Sequence, residues 1–335
     1  MQRLCRSSLC LTFGRHCSTR GPSQPHDTGI DNRPTRETLP DGAPAQESKQ
    51  QRAYVTVTES PLSNVHVLSL NSPPVNTLTS EVIRDLLGEL RRLANPESGC
   101  RGIVLTSDLP TTFSSGLDLN VFAREPFDQA IFAHYWAQFQ ELFMTMHAFP
   151  LPLVAAINGH APAAGCIMAC ACDYRVMAEG PVTSPSNSQE PAKVKPSRPF
   201  TIGITATRAG FAAPPFVARN LAWIVGPRIA QDMLTRGSTL TAAEAQKVGL
   251  VDEVVGDGGE AVVAALHEIE RYLELPMEHT RWLVKDHMRR PILALLQDKN
   301  LRSEDCVYFA DMIQSPDVRR DLQNYAQSLS KKKSS

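Results

Sequence analysis

The run from Val154 to Tyr174, VAAINGHAPAAGCIMACACDY, constrains the fold more than any other part of the chain. It opens as an apolar, β-prone segment and stops at Asn158-Gly159. A turn of small residues follows, Ala163-Ala164-Gly165, after which the pattern favours a helix. Upstream, GIVLTSDLPTTFSSGLDL (102–119) predicts a second strand, which breaks at Ser114-Ser115-Gly116 and leads into Leu117-Asp118. Two such breaks can aim two backbone N–H groups at one point, and the helix after the second adds the positive end of its dipole. Donors arranged in this way stabilise a carbonyl oxygen that gains negative charge during a reaction.

The segments around this pair alternate in type. Strands are predicted at 53–58, 65–70, 103–106, 152–157 and 172–177, and helices at 79–94, with Thr79 or Ser80 as cap, and at about 127–147. Phe132, Tyr135, Trp136, Phe139 and Phe143 form a packing stripe on the second helix. This alternation predicts an α/β fold. Residues 181–199, rich in proline and polar groups, read as an inserted loop. From Pro227 on the chain is expected to be helical: 227–236, 242–248 capped by Thr241, 258–274, 278–296, 302–312 and 315–330. The resulting division is a leader (1–20), a linker (21–52), a core (53–226) and a C-terminal helical region (227–335).

Composition excludes several classes. A formal net charge of −1 gives no field to recruit nucleic acid, and the apolar runs are too short for a membrane span. Cys166, Cys170 and Cys172 lack zinc-site spacing, so they read as buried thiols and no metal site is expected. The first twenty residues hold Arg3, Arg6, Arg15 and Arg20 among Leu4, Leu9, Leu11 and Phe13, and no acidic residue precedes Asp27. That composition predicts a mitochondrial transit peptide. The ending Lys331-Lys332-Lys333-Ser334-Ser335 is not a Ser-Lys-Leu peroxisomal address.

Four blocks in order, LNSPPVNTLT (70–79), GIVLTSDLPTTFSSGLDL (102–119), VAAINGHAPAAGCIMACACDYRVMA (154–178) and LTAAEAQKVGLVDEVV (240–255), resemble the crotonase, or enoyl-CoA hydratase/isomerase, superfamily. Pro-Pro-Val-Asn and Ser-Gly-Leu-Asp place the likeness in its mitochondrial 3,2-trans-enoyl-CoA isomerase branch. The resemblance implies a spiral of ββα units with a C-terminal helical trimerisation region, hence a homotrimer in the mitochondrial matrix acting in fatty-acid β-oxidation. It implies a coenzyme A thioester as substrate, acyl-CoA or enoyl-CoA, and no separate cofactor. Carried onto this sequence, the N–H groups of Leu117 and Ala164 become the oxyanion donors. Asn76, Ser114, Ser115, Gly116, Asp118 and Gly165 fall along the substrate groove. Among the basic residues of the C-terminal helices, Lys285 is the first candidate for the CoA phosphates, ahead of Arg289 and Arg290, while their helical spacing also fits an ordinary solvated face.

One expected residue is missing. Isomerases of this kind move a proton from C2 to C4 of the acyl chain with one glutamate, in a pattern such as Ile-Gly-Leu-Asn-Glu-Thr-Gln-Leu-Gly. Here residues 202–210 read Ile-Gly-Ile-Thr-Ala-Thr-Arg-Ala-Gly, with Ala206 in the glutamate's place, and the hydratases' second glutamate position is Ile167. His160, Glu190 and Glu125 are the substitute bases the sequence offers, while Arg208 is a cation that could pair with an acyl acid or plug the site. Three readings follow: an isomerase with a relocated base, a non-catalytic acyl-CoA-binding paralogue that partners an active one, or a thioesterase-like or other enolate-using crotonase.

Overall fold

Five consecutive parallel strands, the inner ones made largely of apolar residues, set the architecture. In the computed structural model, which describes residues 53–181, 198–275 and 278–333, β1 (Val55–Glu59) and β2 (Val65–Leu70) form an antiparallel pair. After the short β3 (Thr77–Leu78) and α1 (Ser80–Ala94), β4 (Gly102–Ser107) lies parallel to β2. Then come β5 (Gly116–Leu117), α2 (Leu119–Ala123) and α3 (Gln129–His147). The strand β6 (Leu153–Ile157) joins β4, and β7 (Ala161–Pro162) leads into α4 (Ala164–Ala171) and β8 (Tyr174–Ala178). β4 and β6 are buried along their whole length, as strands covered on both faces must be. The predicted leader, the linker, Glu190 and nearly all of the 181–199 insertion lie outside the described residues.

The rest of the chain adds β9 (Thr201–Gly203), a 3-10 turn (Ala206–Ala209), α5 (Pro215–Val225), α6 (Pro227–Arg236), β10 (Leu240–Thr241), α7 (Ala242–Lys247) and β11 (Glu253–Val255). It ends with α8 (Gly258–Leu273), α9 (Glu278–Gln297), α10 (Lys299–Gln314) and α11 (Pro316–Lys333). The main sheet runs β1-β2-β4-β6-β8-β11, with small sheets β10-β9-β7 and β3-β5 beside it. On one face α8 buries Ala261, Ala265, Leu266 and Ile269 against Val65, Val104, Val154, Ala156 and Val176. The larger core, with the inward faces of α1 and α3, fills the other.

The expectation of helix alone after residue 227 needs correction. β10 and β11 interrupt it, and β11 closes the main sheet by pairing with β8. The helix α5 is an addition, since its start at Pro214-Pro215 hides a helical N-terminus behind a pair usually read as a break. The C-terminal helices fold back on their own core. Asp305 of α10 accepts hydrogen bonds from Trp136 Nε1 and Gln140 Nε2, both at 2.8 Å, and Phe309 stacks on Trp136 with centroids 4.2 Å apart.

Candidate active site

The two predicted strand breaks meet. Gly116, with φ +96°, lies so close to the second break that a Cβ built on it would stand 2.8 Å from both Ala163 Cβ and Ala164 N. Only glycine meets both demands, the positive φ and the contact. Gly165 makes the reciprocal approach: a Cβ there would lie 2.4 Å from Ser114 O. Leu117 follows Gly116 directly, and Ala164 opens α4, where a first-turn N–H has no intrahelical acceptor. The unusual backbone belongs to Ala163, not Ala164. With φ 52° and ψ −121°, Ala163 holds a conformation suited to glycine, and its N–H is fixed on Gly203 O at 2.8 Å.

A buried polar frame holds the first break. Asn76 Nδ2 donates to Ser107 Oγ at 2.7 Å and to Phe113 O at 3.0 Å, while its Oδ1 accepts from Ser72 N–H at 2.7 Å. Ser114 Oγ donates to Asn76 O at 2.8 Å and accepts from Gly116 N–H at 3.2 Å. Ser115 Oγ lies 3.1 Å from Thr77 Oγ1. Asp118 caps α2, accepting from Asn120 N–H at 3.0 Å. Asn76, Ser114 and Asp118 therefore shape the loop through their side chains. Tyr135, read in the sequence as packing only, belongs to this frame too. Its buried phenol donates to Leu78 O at 2.7 Å and accepts from Asp118 N–H at 2.9 Å, tying β3 to the residue after Leu117. Burial raises that phenol's pKa and keeps it protonated.

The two positions at which the resemblance places a carboxylate both carry apolar residues. Ile167 is buried one turn into α4, and Ala206 packs against the main core at the start of the 3-10 turn. His160 does not supply a free base at Nδ1, which already accepts Thr201 N–H at 3.1 Å. Burial also lowers the imidazole's pKa and favours its neutral form. Glu125 is taken by Arg319 and by Gln323 Nε2, the latter at 2.9 Å. Arg208 is exposed and its Cγ lies against Gly237, on the α6 side of the turn.

Two features escaped the sequence reading. Arg319 of α11 donates to Phe122 O at 2.6 Å and Arg124 O at 2.7 Å as well as pairing with Glu125, so α11 is anchored to α2. On the other side Asp321 packs over Gly210, its Cβ 2.7 Å from where a glycine Cβ would stand. The helix α11 thus spans from the donor side of the site to the turn that carries Ala206. A helix's partners across 200 residues leave no local signal.

Lys285 does not reach this site within the chain. Its ammonium pairs with Asp173 Oδ1 at 2.8 Å, beside Arg289 at 3.0 Å, in a cleft of about 240 Å³ walled by Trp223, Tyr272 and Trp282. Asp173 also accepts the N–H of Leu153, the first residue of β6, whereas the 163–165 break lies beyond that strand's last residue. The structure spends both Lys285 and Arg289 on one largely buried carboxylate, not on an open face. Among the described residues no group of three or more His, Cys, Asp or Glu stands together to hold a metal ion, and no helix is long and apolar enough to cross a membrane.

Comparison with known proteins agrees with this geometry. The enoyl-CoA hydratase/isomerase family profile matches residues 61–333. The mitochondrial enoyl-CoA delta isomerase 1 of Mus musculus is 35% identical over 277 residues, 82% of this chain and 87% of that protein. The Homo sapiens protein of the same name is 35% identical over 272 residues, 81% and 82% of the two chains. Among solved structures, human mitochondrial delta3-delta2-enoyl-CoA isomerase superposes with a TM-score of 0.74 at 34% identity, covering 84% of this chain and 99% of that one. An enoyl-CoA hydratase from Bacillus halodurans shares the fold, with a TM-score of 0.67 at 20% identity over 81% of this chain and 99% of its own. The fold and the paired strand breaks define a crotonase. This chain belongs to the enoyl-CoA hydratase/isomerase family, and its relatives on the isomerase side carry the 35% identity.

Proposed function

We propose that the protein binds enoyl-CoA thioesters in the mitochondrial matrix and polarises the thioester carbonyl through the N–H groups of Leu117 and Ala164, with 3,2-trans isomerisation strongly slowed. The observation that carries this reading is the pairing of a kept donor geometry with apolar residues, Ile167 and Ala206, at both carboxylate positions. Isomerisation needs a group that takes the C2 proton and returns it at C4. A positioned base contributes about 10²–10⁴-fold to such a step, while one oxyanion donor is worth about 2.7–4 kcal/mol. Donors without a base therefore favour binding over turnover, and the protein acts as an acyl-CoA-binding paralogue of the β-oxidation isomerases. The mitochondrial names of its relatives and the basic, acid-free leader support the location. The substrate itself is the only coenzyme A needed, and the family's trimer is the proposed assembly.

A second reading rests on Asp321, the carboxylate that α11 sets over Gly210 beside the turn carrying Ala206. In that case the base comes from α11 and the protein is an active isomerase of the same pathway. The test is a 3-enoyl-CoA isomerase assay with acyl-CoA binding measured on the same samples, for wild type, Ala206→Glu and Asp321→Asn. Binding with little turnover, and a gain of two or more orders of magnitude in Ala206→Glu, supports the first reading. Turnover by wild type that Asp321→Asn abolishes without loss of binding supports the second. Failure to bind acyl-CoA at all defeats both.

A further inference from the structure

The helices α1 and α10 both pack on α3, and the three leave an open groove of about 780 Å³ between them. None of the residues at the two strand breaks lines it. Its floor is small, since Ala133 and Ala137 stand one turn apart on α3, and Val307 of α10, 53% exposed, adds an apolar contact at the edge. The walls are cationic. Arg84 and Arg91 lie two turns apart on α1, and Lys299 and Arg302 stand in the first turn of α10. One lining carboxylate, Glu141, faces these four, and it is shared by Arg91 at 2.7 Å and Arg302 at 3.4 Å. Asp85, which meets Arg84 at 3.3 Å, stands off the lining, as does Asp298, the cap of α10. A local positive surplus therefore remains in a chain whose formal net charge is −1. Gln138 also lines the groove, and its buried amide oxygen has no hydrogen-bond partner among the described residues. A buried acceptor is costly until a donor reaches it.

We propose that this groove docks an acidic amphipathic helix of a partner protein, with Asp or Glu along both flanks and small apolar residues at its centre. The walls are helices whose backbone groups are already paired, so an extended peptide laid between them would bury its own N–H and C=O groups unanswered. A helix satisfies its own backbone and asks the groove only for side-chain partners. The charges suit that shape. The seven-residue step from Arg84 to Arg91 advances about 10.5 Å, two turns of a partner helix. Carboxylates two turns apart on one flank meet these arginines, and those on the other flank meet Lys299 and Arg302. The alanine floor lets the partner's backbone approach closely enough for a side-chain donor to answer Gln138. Docking here depends on neither acyl-CoA binding nor turnover.

The test titrates the full chain with three alanine-rich peptides of about 18 residues, long enough to hold a helix, each with a terminal fluorophore and a central benzophenone side chain. The first carries glutamates along two flanks, the second lysines in their place, and the third the same glutamates with two central prolines that break the helix. The acidic helix should bind in the micromolar range, about ten-fold or more tighter than the other two, and cross-link to α1, α3 or α10. Arg84→Glu combined with Lys299→Glu, both at exposed positions, should weaken it about ten-fold, because each reversal replaces an attraction by a repulsion. Arg228→Glu with Lys247→Glu, exposed cations on α6 and α7, should leave it unchanged. No binding of the acidic helix at about 1 mM overturns the proposal, as do cross-links confined to other elements. Equal binding of the proline-broken peptide overturns helix recognition and leaves a site for any polyanion. Self-association in sedimentation velocity that the Arg84 and Lys299 reversals abolish gives the groove to a second copy of this chain and overturns a foreign partner.

Discussion

The phenol oxygen of Tyr135 stands 2.9 Å from the backbone nitrogen of Asp118 and links it to Leu78 O. One hydroxyl on α3 thereby fixes the residue that follows Leu117, the first of the two proposed donors. Tyr135→Phe keeps the ring's packing and removes the partner of a part-buried N–H and of a buried C=O. A loss of about 1–3 kcal/mol in unfolding free energy is expected, together with weaker acyl-CoA binding. Chemical denaturation paired with a binding titration checks it. Unchanged affinity alongside reduced stability would detach Tyr135 from the site.

The turn before α4 makes opposite predictions for two small residues. Ala163 adopts φ 52°, so Ala163→Gly removes strain of about 1–3 kcal/mol against an unfolded-state entropy cost of about 0.4–1 kcal/mol. The balance favours glycine, and thermal unfolding should move upward. Gly116→Ala should do the reverse and abolish acyl-CoA binding, because its Cβ would collide with Ala163 and Ala164. A stable, binding-competent Gly116→Ala protein would show that the two breaks do not form one site.

Arg319 and Glu125 form an ion pair in which the partners are not equally important. The arginine is largely buried and also serves Phe122 O and Arg124 O, whereas Glu125 is mostly exposed. Arg319→Met should cost about 1.5–3 kcal/mol and speed hydrogen exchange in α2, while Glu125→Gln should cost about 0–1 kcal/mol. Equal losses would place the anchor in the ion pair and not in the carbonyls.

His147 predicts a pH dependence of stability. Burial, aided by Arg289 and Lys285, pushes its imidazole from the ordinary 6.5 down to about 2. Between these values the unfolded chain takes up a proton that the folded protein refuses. Stability is therefore full above pH 6.5 and falls by about 1.4 kcal/mol per pH unit below it. His147→Leu removes this dependence. Going from neutral pH to pH 5, wild type should lose roughly 2 kcal/mol more than the variant, read from denaturation midpoints. Parallel curves would refute the assignment.

Signals confined to a few neighbouring residues were legible in the sequence. Thr79 caps α1, and Thr241 with Glu244 forms the capping box of α7. The strand breaks at 114–117 and 163–165 stand together in the structure, and the sequence pointed to that pairing through the four family blocks, since each break alone reads equally well as a tight turn. Short elements could not be read this way: β11 has three residues and β10 two, too few for a period to emerge. Side-chain partners were equally hidden. Tyr135 shares the spacing of Phe132 and Phe139, so only the structure separates a hydrogen-bonding ring from its packed neighbours. Lys285 shows the same limit, since nothing near it in sequence announces Asp173.

The return of β11 to the main sheet has a practical consequence for dissecting the molecule. Residues 227–335 look detachable, yet they supply the outermost strand and the carboxylate of Asp252, which meets the buried guanidinium of Arg175 at 2.7 Å. A fragment ending at residue 226 would carry a bare strand edge along β8 and a charge with no counterion in its interior. Both invite aggregation. The front half of this chain should not fold as a stand-alone unit, so the proposed ligand contacts have to be mapped by substitution in the intact polypeptide.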